Sequence, residues 1–168
     1  MSCVGTDAFL GNGVLAESNF AIAVEGLADV VALTAGTNHS CGLRKNGTIA
    51  CWGYTSLAQP GAIFAQSVAT TVNPINDASA IAAGSAHTCA VRTGGTVTCW
   101  GYNGSGQLGG TPNADGFVNV LGLSGVVAIH AAATRTCARS ASTSLSAFVL
   151  LATRLVASSA EDGVLGAS

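Results

Sequence analysis

The feature that most constrains this chain is a segment that occurs twice. Residues 36–54 read GTNHSCGLRKNGTIACWGY and residues 84–102 read GSAHTCAVRTGGTVTCWGY, an offset of 48. Ten of the 19 positions are identical without a gap, and five more are close exchanges: Thr37/Ser85, Ser40/Thr88, Gly42/Ala90, Leu43/Val91 and Ile49/Val97. The same offset separates Val24, Val72 and Val120, and also Cys41, Cys89 and Cys137. It separates Cys3, Cys51 and Cys99 too, followed in each case by Gly5, Gly53 and Gly101. Gly26-Leu27 returns two periods later as Gly122-Leu123. A register held through all six cysteines marks tandem duplication. The repeats fill 1–139: the end of one unit at 1–21, full units at 22–69 and 70–117, and the start of another at 118–139.

A period of 48 falls in the range of β-propeller blades. Each unit divides into short strands: apolar runs at 30–35 and 78–83 bounded by Gly, read as strands buried on both faces, then 39–44 and 48–52, then a Gly/Asn/Ser-rich loop. A helical solenoid would need a 3.6-residue apolar period, which is absent. Charged residues are only 8% of the chain and Gly numbers 22, a balance that favours short strands and turns over long surface helices. The expected fold is all-β, a partial propeller of about three blades.

The cysteine spacing adds a geometric argument. The full units carry Cys41/Cys51 and Cys89/Cys99, separated by Lys45-Asn46-Gly47 and Thr93-Gly94-Gly95. A three-residue hairpin loop takes Gly in its left-handed third position. That loop pairs Arg44 with Thr48 and Arg92 with Thr96. Counting back along the ladder sets Cys41 opposite Cys51 and Cys89 opposite Cys99, close enough for disulfides. Each bridge adds roughly 2–3 kcal/mol in the chain-entropy view. Lasting disulfides belong to oxidising compartments, so an extracellular or cell-surface location is expected. The competing reading, zinc held by His39, Cys41 and Cys51 or by His87, Cys89 and Cys99, lacks the usual Cys-x2-4-Cys spacing and a fourth ligand. No metal or other cofactor is expected. Cys3 and Cys137 have no partner in their incomplete units, and Ala147 stands where the partner of Cys137 is expected.

Residues 83–109, AGSAHTCAVRTGGTVTCWGYNGSGQLG, resemble the repeat of the RCC1 (regulator of chromosome condensation) family. The matching elements are Gly84, His87, Gly95, Trp100, Gly101, Asn103, Gly106, Gln107, Leu108 and Gly109. The form with His-Thr-Cys and Cys-Trp-Gly is similar to secreted or surface bacterial members. The resemblance covers about 1–139 and implies a seven-bladed propeller with four-stranded blades, of which this chain holds an incomplete ring. It also implies a protein-binding role. One branch of the family exchanges guanine nucleotide on a small GTPase and binds nucleosomes. Another inhibits β-lactamases. The segment GYTSLAQPG at 53–61 departs from the family's GxNxxGQLG loop.

Single residues are weighed against plainer roles. His39 and His87 share one repeat position and are read as structural, bonded to backbone between strands; Arg135 replaces them in the third unit. His130 lies out of phase and stands beside no nucleophile or carboxylate pair. Trp52 and Trp100 are read as blade packing. The candidate contact loops follow them, with Tyr54, Tyr102, Asn103 and Gln107 as candidate binding residues. The Gly-rich stretch 101–110 lacks the Gly-Lys-Ser/Thr ending of a phosphate loop and a helix after it.

The net charge is −2 and the six Lys and Arg are scattered, so no nucleic-acid partner is expected. No apolar run approaches membrane-spanning length, and no signal peptide is expected in this chain. From 140 to 168 the repeat is lost. The apolar positions Leu145, Phe148, Val149, Ala152, Leu155 and Val156 suggest a short helix, and the alternatives are a disordered tail or sequence outside the repeat's reading frame. Open blade faces predict self-association of the isolated chain. The functional expectation is a non-catalytic protein-binding propeller segment with an unidentified protein partner. The alternative is a regulatory exchange factor acting on a small GTPase, which the cysteine bridges disfavour.

Overall fold

The computed structural model describes residues 2–5, 10–14, 17–54, 65–111, 116–141, 147–151 and 154–158, and every structural statement below concerns these residues. Fourteen strands form one two-stranded and three four-stranded antiparallel sheets. Strands β1 (Ser2–Gly5) and β2 (Ser18–Ala23) pair with each other. Blade 1 runs in chain order through β3 (Val30–Ala35), β4 (His39–Arg44), β5 (Ile49–Tyr54) and β6 (Ala65–Thr71). Blade 2 repeats this with β7 (Ala78–Ala83), β8 (His87–Arg92), β9 (Val97–Gly101) and β10 (Phe117–Asn119). Blade 3 contains β11 (Val126–Ala132), β12 (Arg135–Ser140), β13 (Ala147–Leu151) and β14 (Arg154–Ser158).

Turn chemistry sets the register of each central hairpin. In blade 1 the amide of Arg44 donates to the carbonyl of Thr48 at 2.8 Å, and the amide of Gly47 donates back to Arg44 at 2.9 Å. Gly47 and Gly95 hold φ of 81° and 77°, a conformation that a residue with a Cβ enters only under strain. The ladder that follows pairs Cys41 with Cys51 and Cys89 with Cys99.

The blades stack through apolar faces. One cluster joins Cys41, Leu43, Ile49 and Cys51 of blade 1 to Ala78, Ala90, Trp100 and Phe117 of blade 2. The next joins Cys89, Val91, Val97 and Cys99 of blade 2 to Val126, Ile129 and Ala138 of blade 3. Because side chains alternate along a strand, Cys99 and Trp100 serve opposite faces. Blade 2 thus offers its bridge to blade 3 and its tryptophan to blade 1. The core lies between sheets, not within one.

Two sequence expectations are corrected. Where the tail is described it is not helical: 147–151 and 154–158 are strands that complete blade 3. The free edge of β12 carries unpaired peptide groups, and strand addition satisfies them where a helix would not; Leu145 and Ala152 of that reading lie outside the described residues. The longer connection also moves the register, so Cys137 faces Val149 and not Ala147. The second correction concerns 30–35, which is not buried on both faces: Val31 and Leu33 are 61% and 51% exposed.

Candidate protein-binding surface

The histidines that recur at the repeat offset bind blade to blade. His39 Nε2 lies 2.9 Å from Thr88 Oγ1, and His87 Nε2 lies 2.8 Å from Thr136 Oγ1. Both histidines are buried. The partner is thus a hydroxyl on the following blade, not the backbone between strands as the sequence reading had it. A hydroxyl can donate to or accept from the ring, so it serves a neutral imidazole in either tautomer. Burial depresses the His39 pKa to about 4, helped by the nearby His87, and burial likewise lowers that of His87. A neutral, buried, already bonded imidazole suits a fastener.

Glycine makes room for each ring. A Cβ on Gly36 would stand 2.3 Å from His39 Cε1 and 2.4 Å from the Gly84 carbonyl oxygen. On Gly84 it would stand 2.1 Å from His87 Cε1 and 2.7 Å from the Ala133 carbonyl oxygen. Backbone bonds run along the same line, with the Thr37 amide donating to Ser85 O at 3.0 Å and the Ser85 amide to Ala133 O at 2.9 Å.

The two bridges lie in these interfaces. Cys41 and Cys51 are bonded with Cα atoms 4.1 Å apart, and Cys89 and Cys99 with Cα atoms 4.0 Å apart. All four residues are fully buried. With the sulfurs joined to each other, neither His-Cys-Cys set has thiolates to offer a metal. Cys3 and Cys137 are free thiols, and burial raises the pKa of Cys3. His130 is exposed and sits across the ladder from Cys137.

The four candidate contact residues divide in two. Asn103 donates from Nδ2 to Gly110 O at 2.8 Å and accepts at Oδ1 from the Leu108 amide at 3.0 Å. Gln107 is buried, its Oε1 accepting from the Ser105 amide at 2.9 Å. These two side chains hold their loop closed, and Leu108 is driven into the core beneath it. Tyr54 and Tyr102 differ: each is 46% exposed. Their amides are tied to the carbonyls of Asn38 at 2.6 Å and Ala86 at 2.8 Å. Gly53 and Gly101 precede the tyrosines at φ of 98° and 108°, and each tyrosine stands at the end of the third strand of its blade, Tyr54 as the last residue of β5 and Tyr102 just after β9. That end therefore presents aromatic side chains on fixed backbone at blade spacing. Trp52 and Trp100, by contrast, are fully buried, and Trp100 meets the Phe117 ring at 5.8 Å between centroids.

The opposite end carries ionic chemistry. Arg92 Nε donates to Asp77 Oδ1 in an ion pair. In blade 1 the corresponding Arg44 donates to Thr71 Oγ1 at 3.1 Å and Gly26 O at 3.0 Å. Asp29, Arg44, Lys45 and Asn46 border an open depression of about 240 Å³.

The profile of the regulator of chromosome condensation (RCC1) repeat matches residues 30–59 and 78–107. The chain carries RCC1 repeats. Each match opens with the first strand of a blade, β3 or β7, and includes both strands of its stapled hairpin. No curated protein sequence matches the chain. Among solved structures, Prp20p from Saccharomyces cerevisiae is 23% identical, with 71% of this chain and 30% of that one covered and a TM-score of 0.61. Human WBSCR16 is 19% identical over 83% of this chain and 37% of that one, with a TM-score of 0.65. The ectodomain of the receptor kinase CR4 from Physcomitrella patens is 25% identical over 77% and 32%, with a TM-score of 0.55. The chain spans about a third of the length of these structures. RCC1 blades are all-β, and no described helix is long and apolar enough to cross a membrane.

Sequence reasoning missed the histidine–hydroxyl fasteners. A signal was present: the residue after each histidine position is Ser40, Thr88 and Thr136, a column of hydroxyls at the 48-residue offset.

Proposed function

We propose that this chain is a non-catalytic, protein-binding propeller segment that works outside the cell or at its surface. Its contact face is the end of the blades that carries Tyr54 and Tyr102. The observation that carries the reading is a pair of half-exposed tyrosines at one repeat position, each with its backbone amide bonded to the carbonyl of the preceding turn, aromatic surface held on backbone that is already ordered. Such side chains supply contact area at low entropic cost. The buried histidines are used in packing and offer no acid or base to that face. Two buried disulfides support an oxidising location, as does similarity to a receptor ectodomain. The alternative is an exchange-factor role on a small GTPase. It draws on similarity to Prp20p, whose structure was described with its binding to Gsp1p and histones.

The test is affinity capture with the wild-type chain beside the Tyr54→Ser/Tyr102→Ser double variant, from secreted and from cytosolic fractions. Secreted or surface proteins retained by the wild type and lost from the variant support the reading. Retention that ignores the substitutions, or that selects a cytosolic GTPase, overturns it.

A further inference from the structure

The two faces of blade 3 differ in kind. Side chains alternate along β12. Thr136 and Ala138 are buried toward blade 2, while Arg135 and Arg139 are exposed and Cys137 between them is half-buried. The register sets Ala132 opposite Arg135, His130 opposite Cys137 and Ala128 opposite Arg139. These residues form one patch on the outer face of β11 and β12, and His130 and Ala132 are exposed with the two arginines.

The same repeat positions in blades 1 and 2 are built for packing. Arg135 stands in the column of His39 and His87, the two fasteners. Ala132 stands in the column of Gly36 and Gly84, the seats of those rings, so fastener and seat are exchanged together. Arg139 stands in the column of Leu43 and Val91, which are buried in the interblade clusters. An apolar blade face laid on this patch would bury two arginines without acceptors, a costly arrangement. The outer face of blade 3 thus carries the repeat's backbone with a different surface chemistry.

A second observation separates these arginines from the others. Arg92 is ion-paired with Asp77, and Arg44 donates to Thr71 Oγ1 and Gly26 O. Among the described residues neither Arg135 nor Arg139 has an acceptor. Across the ladder each meets an alanine, which answers neither its charge nor its donors. The two side chains leave one strand four residues apart, about 13 Å along it. That separation suits two acceptors more than one shared acceptor, and His130 adds a ring nitrogen between them.

We propose that the outer face of blade 3 is a second contact surface, which holds an extended acidic segment of a partner protein with carboxylates four residues apart seated on Arg135 and Arg139. The planar fork of each guanidinium takes a carboxylate through two parallel N–H···O bonds. The segment runs along β12 and passes over Cys137 and His130. The chain's net charge of −2 opposes a long polyanion such as nucleic acid, whereas a short acidic segment meets only the local positive field. This surface uses neither Tyr54 nor Tyr102, so it stands apart from the tyrosine-bearing end.

The experiment follows the fluorescence anisotropy of a labelled peptide, Gly-Ser-Glu-Thr-Val-Thr-Glu-Ser-Gly, titrated with the 168-residue chain at low ionic strength. Saturable binding is expected, weakened roughly tenfold in the Arg135→Gln/Arg139→Gln chain. Replacing both peptide glutamates by glutamine is expected to abolish it, and Tyr54→Ser/Tyr102→Ser to leave it unchanged. Both arginines are exposed, so the double variant should keep the 41–51 and 89–99 bridges and the wild-type melting temperature. A folded double variant that binds as tightly as the wild type overturns the proposal. So does a glutamine peptide that binds equally well, or an absence of saturation up to millimolar chain. Preference for a thymidine oligonucleotide of equal charge also overturns it, since the patch would then be a nucleic-acid contact.

Discussion

His87 of blade 2 reaches Thr136 of blade 3 at 2.8 Å, in the same way that His39 reaches Thr88 one period earlier. His87 Nδ1 is buried with no partner, so the bond at Nε2 is the ring's one satisfied position. Thr136→Val keeps the shape and removes the hydroxyl, leaving a buried imidazole without any hydrogen bond. The expected loss is about 1–3 kcal/mol of stability, read from chemical denaturation. Thr134→Val, at an exposed turn position, is the control and should change little.

The depressed histidines give the fold a pH dependence with a definite sign. Both pKa values are lowered in the folded chain, His39 to about 4, against about 6.5 when unfolded. Between those values the unfolded chain binds more protons, so stability is full above about pH 6.5 and falls as the pH drops toward 4. From His39 alone the loss is on the order of 3 kcal/mol. Thermal unfolding from pH 7 to pH 4 should show this slope, and a His39→Gln/His87→Gln chain should flatten it.

Four cysteines are fully buried in bridges and two are free. Thiol titration of the native chain should therefore find two reactive groups, rising to six after unfolding in reductant. Loss of each bridge should lower stability by roughly 2–3 kcal/mol. Reduction under native conditions should be slow, since reductant reaches these sulfurs only when adjacent blades part.

Two glycines with opposite surroundings separate contact from strain. Gly84→Ala places a Cβ against the His87 ring and the Ala133 carbonyl, atoms that cannot give way together. It should destabilise by more than about 3 kcal/mol or prevent folding. Gly94 has φ of 101° but nothing within 4 Å of a new Cβ, so Gly94→Ala should cost only about 1 kcal/mol. Comparison of the two midpoints in denaturant checks both.

The repeat was legible because identical spacing forces identical geometry. The turn at 45–47 fixes the ladder, and the ladder fixes the bridges, so local chemistry was enough for Cys41–Cys51 and Cys89–Cys99. What local chemistry could not show was which neighbour a side chain meets across blades. His39 and Thr88 are 49 residues apart, and only the stacking brings them together. Gln107 looked like a loop residue open to contact, yet its amide is folded under the loop, a placement set by Leu108 entering the core. The tail misled for the opposite reason. Its apolar spacing fits a short helix in isolation, but an open strand edge nearby decides its conformation.

Adjacent residues Cys51 and Trp52 point to opposite sides of one sheet, and Cys99 and Trp100 repeat this. Both of these units are consequently polar along the stacking axis, with a plug on one side and a socket on the other. A newly duplicated copy of the unit arrives already matched to both its neighbours. Such an array lengthens without inventing any new interface, while its rim loops are left free to diverge.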